Sequence, residues 1–107
     1  MSARLIRARH LYPGAPYAYA AVAPPGSLIF TAGACPINAD GDVTAPGDYA
    51  AQARHAIANL RTALAAAGAD LSDVLKSTVY VASADQADLL SAWEVVHAAL
   101  VTSHRVV

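Results

Sequence analysis

Apolar and polar positions change period along this chain, and the clearest change lies between Gly47 and Val81. Ala53, Ile57, Leu60 and Leu64 recur at spacings of four, three and four, which places them on one face of a helix. Gln52, Arg54, His55, Asn59, Arg61 and Thr62 take much of the other face. Asp48 is placed to cap the helix start by accepting from its first free backbone N–H groups. Gly68 follows the last turn, where a left-handed residue closes a helix at little cost. Leu71-Ser72-Asp73 reads as a turn. The period then falls to two: Leu75, Val79 and Val81 alternate with Lys76, Thr78 and Tyr80. That predicts a strand over Val74–Val81 with its apolar side against helices.

Upstream, three strands are expected. The first runs over Ala3–His10. The second runs over Tyr17–Ala23, with Tyr17 and Tyr19 on one face. The third runs over Ser27–Ala32. Tyr12–Pro16 is a stiff loop and Pro24-Pro25-Gly26 a hairpin turn. Asn38–Asp42 is a tight turn driven by its Asp-Gly step. Downstream, Ser83 and Gln86 fit a capping box. It opens a second helix with Leu89, Trp93, Val96 and Leu100 inward. The order β-β-β-α-β-α predicts an α+β domain of two layers, a small mixed sheet with two helices on one face. By this count a final strand is missing. Seven residues follow Leu100, too few for a turn and a pair of strands. The single domain over 1–107 is therefore expected to be short at its C-terminal end. No long final strand is expected beyond about Val101, so that a sheet edge or cleft wall is left open.

Composition narrows the class. The chain has 107 residues, 56% of them hydrophobic and 14% charged, with a net charge of −1. That excludes a disordered chain and suggests apolar surface hidden in an oligomer. No unbroken run of about eighteen apolar residues suggests a membrane span, and no basic cluster suggests a nucleic-acid surface. One cysteine permits no internal disulfide and fits a reducing cytoplasm. The four histidines are scattered with no metal-ligand spacing, so no metal is expected; no cofactor is expected either.

Three segments carry a resemblance: Ala15-Pro16-Tyr17, then LIFTAGACPI at Leu28–Ile37, then GDYAAQARHAIANLRTALAAAGADLSDVLKSTVYVA at Gly47–Ala82. Together they make the chain similar to the Rid family, also called YjgF or L-PSP endoribonucleases, over roughly residues 15 to 100. The resemblance implies a chorismate-mutase-like fold and a homotrimer with pockets at the subunit interfaces. It also implies hydrolysis of reactive enamines and imines to keto acids and ammonia. A small carboxylate-bearing metabolite is then the ligand, with no nucleic acid or membrane as partner.

The chemistry of that reaction is modest. An imine already reacts with water, so the protein has to hold the substrate carboxylate, position a water and move a proton. Carried over from the family, the tyrosine of the pocket is Tyr17 and the glycine whose backbone N–H faces the carboxylate is Gly33. Arg105 falls where the family has its carboxylate-binding arginine, a side chain whose planar fork suits two oxygens. Cys35, two residues beyond Gly33, is a further candidate lining residue, with no basic neighbour in sequence to activate its thiol. Each has a plainer reading: Tyr17 as packing, Gly33 as a turn residue, Cys35 as an inert thiol, Arg105 as a terminal residue without a role. The family's serine and glutamine flanking the glycine are Ala32 and Ala34 here, and its C-terminal acid has no counterpart. Activity is therefore expected to be weak or absent. The alternative reading is a non-catalytic trimeric protein that binds a small metabolite.

Overall fold

A computed structural model of the chain describes residues 4–22, 26 and 28–103. The sheet consists of three short strands, β1 (Arg4–Ile6), β2 (Ala20–Val22) and β3 (Ile29–Thr31), antiparallel in that order. Leu5 stands opposite Ala21, and Ala21 opposite Phe30, so these three share a face. Leu5 and Phe30 are strongly exposed, whereas Ala20 on the other face is buried. β1 stops at Ile6 instead of running on to His10. Ala8 has a left-handed φ of 53°, a conformation that ends a ladder and costs a non-glycine residue about 1 kcal/mol. β2 begins at Ala20 rather than Tyr17. Tyr19 still continues the pairing: its N–H donates to Ile6 O at 2.6 Å and its carbonyl accepts from Ala32 N at 3.1 Å. Of the Pro24-Pro25-Gly26 turn only Gly26 lies within the described residues, with a φ of 85°.

The central helix, α1 (Tyr49–Ala66), starts as its sequence predicts, with Asp48 accepting from Ala51 N at 2.9 Å. Its end is a Schellman motif. Gly68 has a φ of 84°, its N–H donates to Ala65 O at 3.0 Å, and Ala69 N donates to Leu64 O at 2.8 Å. A one-turn 3-10 helix, Leu71–Asp73, follows. Asp70 caps it by accepting from Ser72 N, while Asp73 reaches back to Asp70 N. This reciprocal cap points Leu71 inward, where it is only 3% exposed.

Val74–Val81 does not form the expected fourth strand. It carries no regular secondary structure, and Leu75, Val79 and Tyr80 are exposed. Alternation of side chains suits a strand, but a strand exists only where a neighbour supplies a ladder. Among the described residues no strand pairs with this segment. The sheet is consequently antiparallel throughout rather than mixed.

The second helix, α2 (Gln86–Ser103), also differs in detail. Asp85, not Ser83, is its cap, accepting from Ala87 N at 2.9 Å. Ser83 instead accepts from Asp85 N and donates to Asp88 at 2.7 Å. The buried side is Ala92 and Val96, packed where α2 meets α1 and the 3-10 turn. Leu89 and Trp93, expected inward, are 40% and 49% exposed. The small Ala92 lets the two helices approach, and that rotates the larger side chains outward. The expectation that no long final strand follows about Val101 falls partly on α2, which runs on to Ser103, and partly on residues 104–107, which lie outside the described residues.

The architecture is α+β, a three-stranded antiparallel sheet with two helices. Ala63 of α1 joins Ala8, Leu11, Ala15 and Tyr19 of the β1–β2 connection in one apolar cluster, with Tyr12 packed on it. Among the described residues six of the eleven buried apolar ones are alanine, so the core has little volume. The chain exposes 7002 Å², about a quarter more than a compact monomer of its mass.

Candidate functional site

The β1–β2 connection is held in shape by polar side chains beneath it. The Arg7 guanidinium donates to Pro13 O at 3.0 Å and to Ala15 O at 2.6 Å. The Tyr19 hydroxyl donates to Tyr12 O at 2.8 Å. These bonds fold the loop so that Tyr12, Tyr17 and Tyr19 stand on one side of a shallow cleft. Tyr17 and Tyr19 meet edge to face, with ring centroids 5.4 Å apart, although the segment before Ala20 is not a strand. Asn59, Leu60 and Ala63 of α1 form the floor, and the stretch from Ala32 to Cys35, with Ile37, forms the opposite wall.

Three of the four candidate residues therefore line one cleft: Tyr17, Gly33 and Cys35. Arg105 lies outside the described residues. Ala32 and Ala34 line the same wall, so their methyl groups make apolar what the family pattern makes polar.

Tyr12, Tyr19 and Asn59 also line the cleft, and the sequence assigned none of them to it. The sequence pattern puts Asn59 on the outward, polar face of α1. The structure instead uses a polar stripe there, Gln52, His55 and Asn59, to fasten the loop that follows β3. Gln52 Nε2 donates to Thr44 O at 3.1 Å. The Thr44 hydroxyl donates to Pro36 O at 3.1 Å and meets His55 Nδ1. A hydroxyl has one proton, so with that proton on Pro36 O it is His55 Nδ1 that donates to Thr44. Asn59 Nδ2 donates to Cys35 O at 2.8 Å and Ile37 O at 3.0 Å. The signal was present in the sequence: the three sit at positions 52, 55 and 59, one stripe at helical spacing.

Burial pushes the Tyr19 phenol above its ordinary value of 10.0; nearby Tyr17 adds to the rise and Arg7 opposes it. The hydroxyl thus remains a donor to Tyr12 O. An acid whose folded pKa is raised supports the fold below its unfolded value, and that support is lost as pH rises through the folded one. Stability should therefore start to fall as pH passes 10.0. Tyr19→Phe should remove that part of the decline, as pH-dependent denaturant titrations would show; an unchanged profile contradicts the assignment.

Among the described residues no group of three His, Cys, Asp or Glu could hold a metal ion. No helix among them is long and apolar enough to cross a membrane.

The sequence profile of the Endoribonuclease L-PSP family, the Rid/YjgF family, matches residues 8–105. The chain belongs to that family. It is similar to 2-iminobutanoate/2-iminopropanoate deaminase of Escherichia coli (strain K12), 42% identical over 57 residues, which is 52% of this chain and 43% of that protein. It is similar to a RutC family protein of Pyrococcus abyssi, 41% identical over 56 residues, covering 52% of this chain and 44% of that one. A RutC family protein of Pyrococcus horikoshii is 39% identical over 69 residues, 64% of this chain and 53% of that one. The chain thus spans about half the length of the curated relatives it matches.

Proposed function

We propose that this Rid-family chain binds a small carboxylate-bearing imino acid in the Tyr17–Gly33–Cys35 cleft and hydrolyses it to a keto acid and ammonia, in the cytoplasm. The convergence of those three residues on one cleft carries the reading. The similarity to an imine deaminase supports it. In this proposal Tyr17 moves the proton between the attacking water and the imine nitrogen. The Gly33 N–H and the Arg105 guanidinium hold the carboxylate, and Cys35 lines the cleft beside them. Imine hydrolysis transfers no electrons, and its substrate is already electrophilic. Positioning and a single proton relay therefore suffice without metal or cofactor. We further propose that the cleft is completed at the interface of a homotrimer, for which the exposed Leu5, Phe30, Leu75 and Tyr80 offer apolar surface.

Ala32 and Ala34 on the cleft wall favour one second reading, a trimeric binding protein without catalysis. A coupled assay with a freshly generated imine separates the two. Turnover above the uncatalysed rate but below that of the Escherichia coli relative is expected. Tyr17→Phe should then lower kcat roughly 10²-fold, and Arg105→Ala should raise KM. Binding of the corresponding keto acid without turnover selects the second reading. Neither binding nor turnover overturns both.

A further inference from the structure

We propose that Asn59 is a positioning residue of the cleft: its side-chain amide clamps the Cys35–Ile37 turn to α1 and so fixes the wall that carries Gly33 and Cys35. The turn closes weakly on itself, although its last residue, Ile37, is also bridged to Val43 in the following loop. Its own bond is a γ-turn closure, Ile37 N to Cys35 O at 2.9 Å, over Pro36, which has no N–H to offer. Asn59 Nδ2 sits between the two carbonyls that flank Pro36, at 2.8 Å from Cys35 O and 3.0 Å from Ile37 O. Both amide protons are thereby used, one on each side of the proline. The reverse orientation of the amide would set its oxygen against two carbonyl oxygens, so the side chain is locked. Asn59 also lines the cleft it shapes. The third carbonyl of the turn, Pro36 O, is held separately, by Thr44 N at 2.9 Å and the Thr44 hydroxyl at 3.1 Å. Thr44 in turn is held by Gln52 and His55. The stripe on α1 therefore has a division of labour: Asn59 acts on the cleft wall, and Gln52 acts on the far end of the loop. The assignment concerns geometry and stands whether or not the cleft catalyses imine hydrolysis.

The test compares Asn59→Asp with Gln52→Leu in the full chain. Asn59→Asp keeps size and shape but sets a carboxylate against the two carbonyls. Gln52→Leu removes one loop–helix bond away from the cleft. Two readouts are local to the wall: hydrogen exchange of the Ile37 amide, and alkylation by iodoacetamide of Cys35, the only cysteine and an exposed one. In Asn59→Asp, exchange at Ile37 should rise at least about tenfold over exchange at α2 amides, and alkylation should speed up with it. In Gln52→Leu both should stay within about twofold. Where Asn59→Asp fails to fold, Asn59→Gln, whose donors stand one methylene further out, must show the same selective rise. An unchanged Ile37 amide, or an equal rise throughout the chain or in both variants, overturns the proposal. None of these readouts depends on turnover, so a failed deaminase assay leaves the result interpretable.

Discussion

Leu71→Ala should lower the melting temperature by at least about 10 °C, whereas Leu75→Ala, four residues on, should leave the melting of the dilute monomer nearly unchanged. Leu71 is 3% exposed and Leu75 is 65% exposed, so the same truncation removes core packing at one site and surface at the other. Deleting a buried leucine side chain costs roughly 2–5 kcal/mol, through lost transfer energy and the cavity left behind. In a domain of this size each kcal/mol moves the midpoint by about 4–8 °C. The surroundings give little room for relaxation. Leu71 is set by a reciprocal cap between Asp70 and Asp73, which holds the backbone, and α2 packs against this turn. Among the described residues six of the eleven buried apolar ones are alanine, side chains too small to fill the space left. Calorimetry or circular dichroism at low protein concentration measures both variants. Equal shifts for Leu71→Ala and Leu75→Ala would show that the buried face has been misassigned.

The second large effect expected is on mass. At micromolar concentration the protein should sediment as a trimer, about three times its chain mass of 11.0 kDa, and its melting point should rise with concentration. Tyr80→Asp should shift the mass toward that of one chain. Tyr80 is 92% exposed, Phe30 73% and Leu5 71%, and a charge introduced into apolar surface that is covered in an assembly carries a desolvation penalty of several kcal/mol. The same substitution on a free surface is nearly neutral. A single-chain mass for the unaltered protein at micromolar concentration counts against the trimer. A full trimer in Tyr80→Asp removes Tyr80 from the interface.

How far the residue pattern carried depends on the range of the interactions involved. Asp48 as cap, Gly68 as stop and the Leu71–Asp73 turn were legible because each rests on bonds between neighbours a few positions apart. Tyr17 and Tyr19 do meet, but through the folded loop before β2 rather than as alternate positions of a strand. Membership of the Rid/YjgF family was legible because the Gly47–Ala82 pattern combines many such local choices in one order. Motif position alone marks Tyr17, Gly33 and Cys35, and it carries no information about what surrounds them.

Contacts between distant parts of the chain decided the rest. The alternation at Val74–Val81 predicts a strand, yet no neighbour among the described residues supplies its ladder. Trp93 and Leu89 are apolar at helical spacing, yet α2 turns Ala92 and Val96 toward α1, because close helix packing favours the small side chains. Asn59 is polar and reads as solvent-facing, yet its amide is taken up by carbonyls more than twenty positions away. A residue's own chemistry and spacing determine what it is able to bond. Which partner is within reach is settled only when the chain has folded, because an unpaired strand edge, an uncovered apolar face or an amide facing two carbonyls is a property of pairs that the linear order keeps apart.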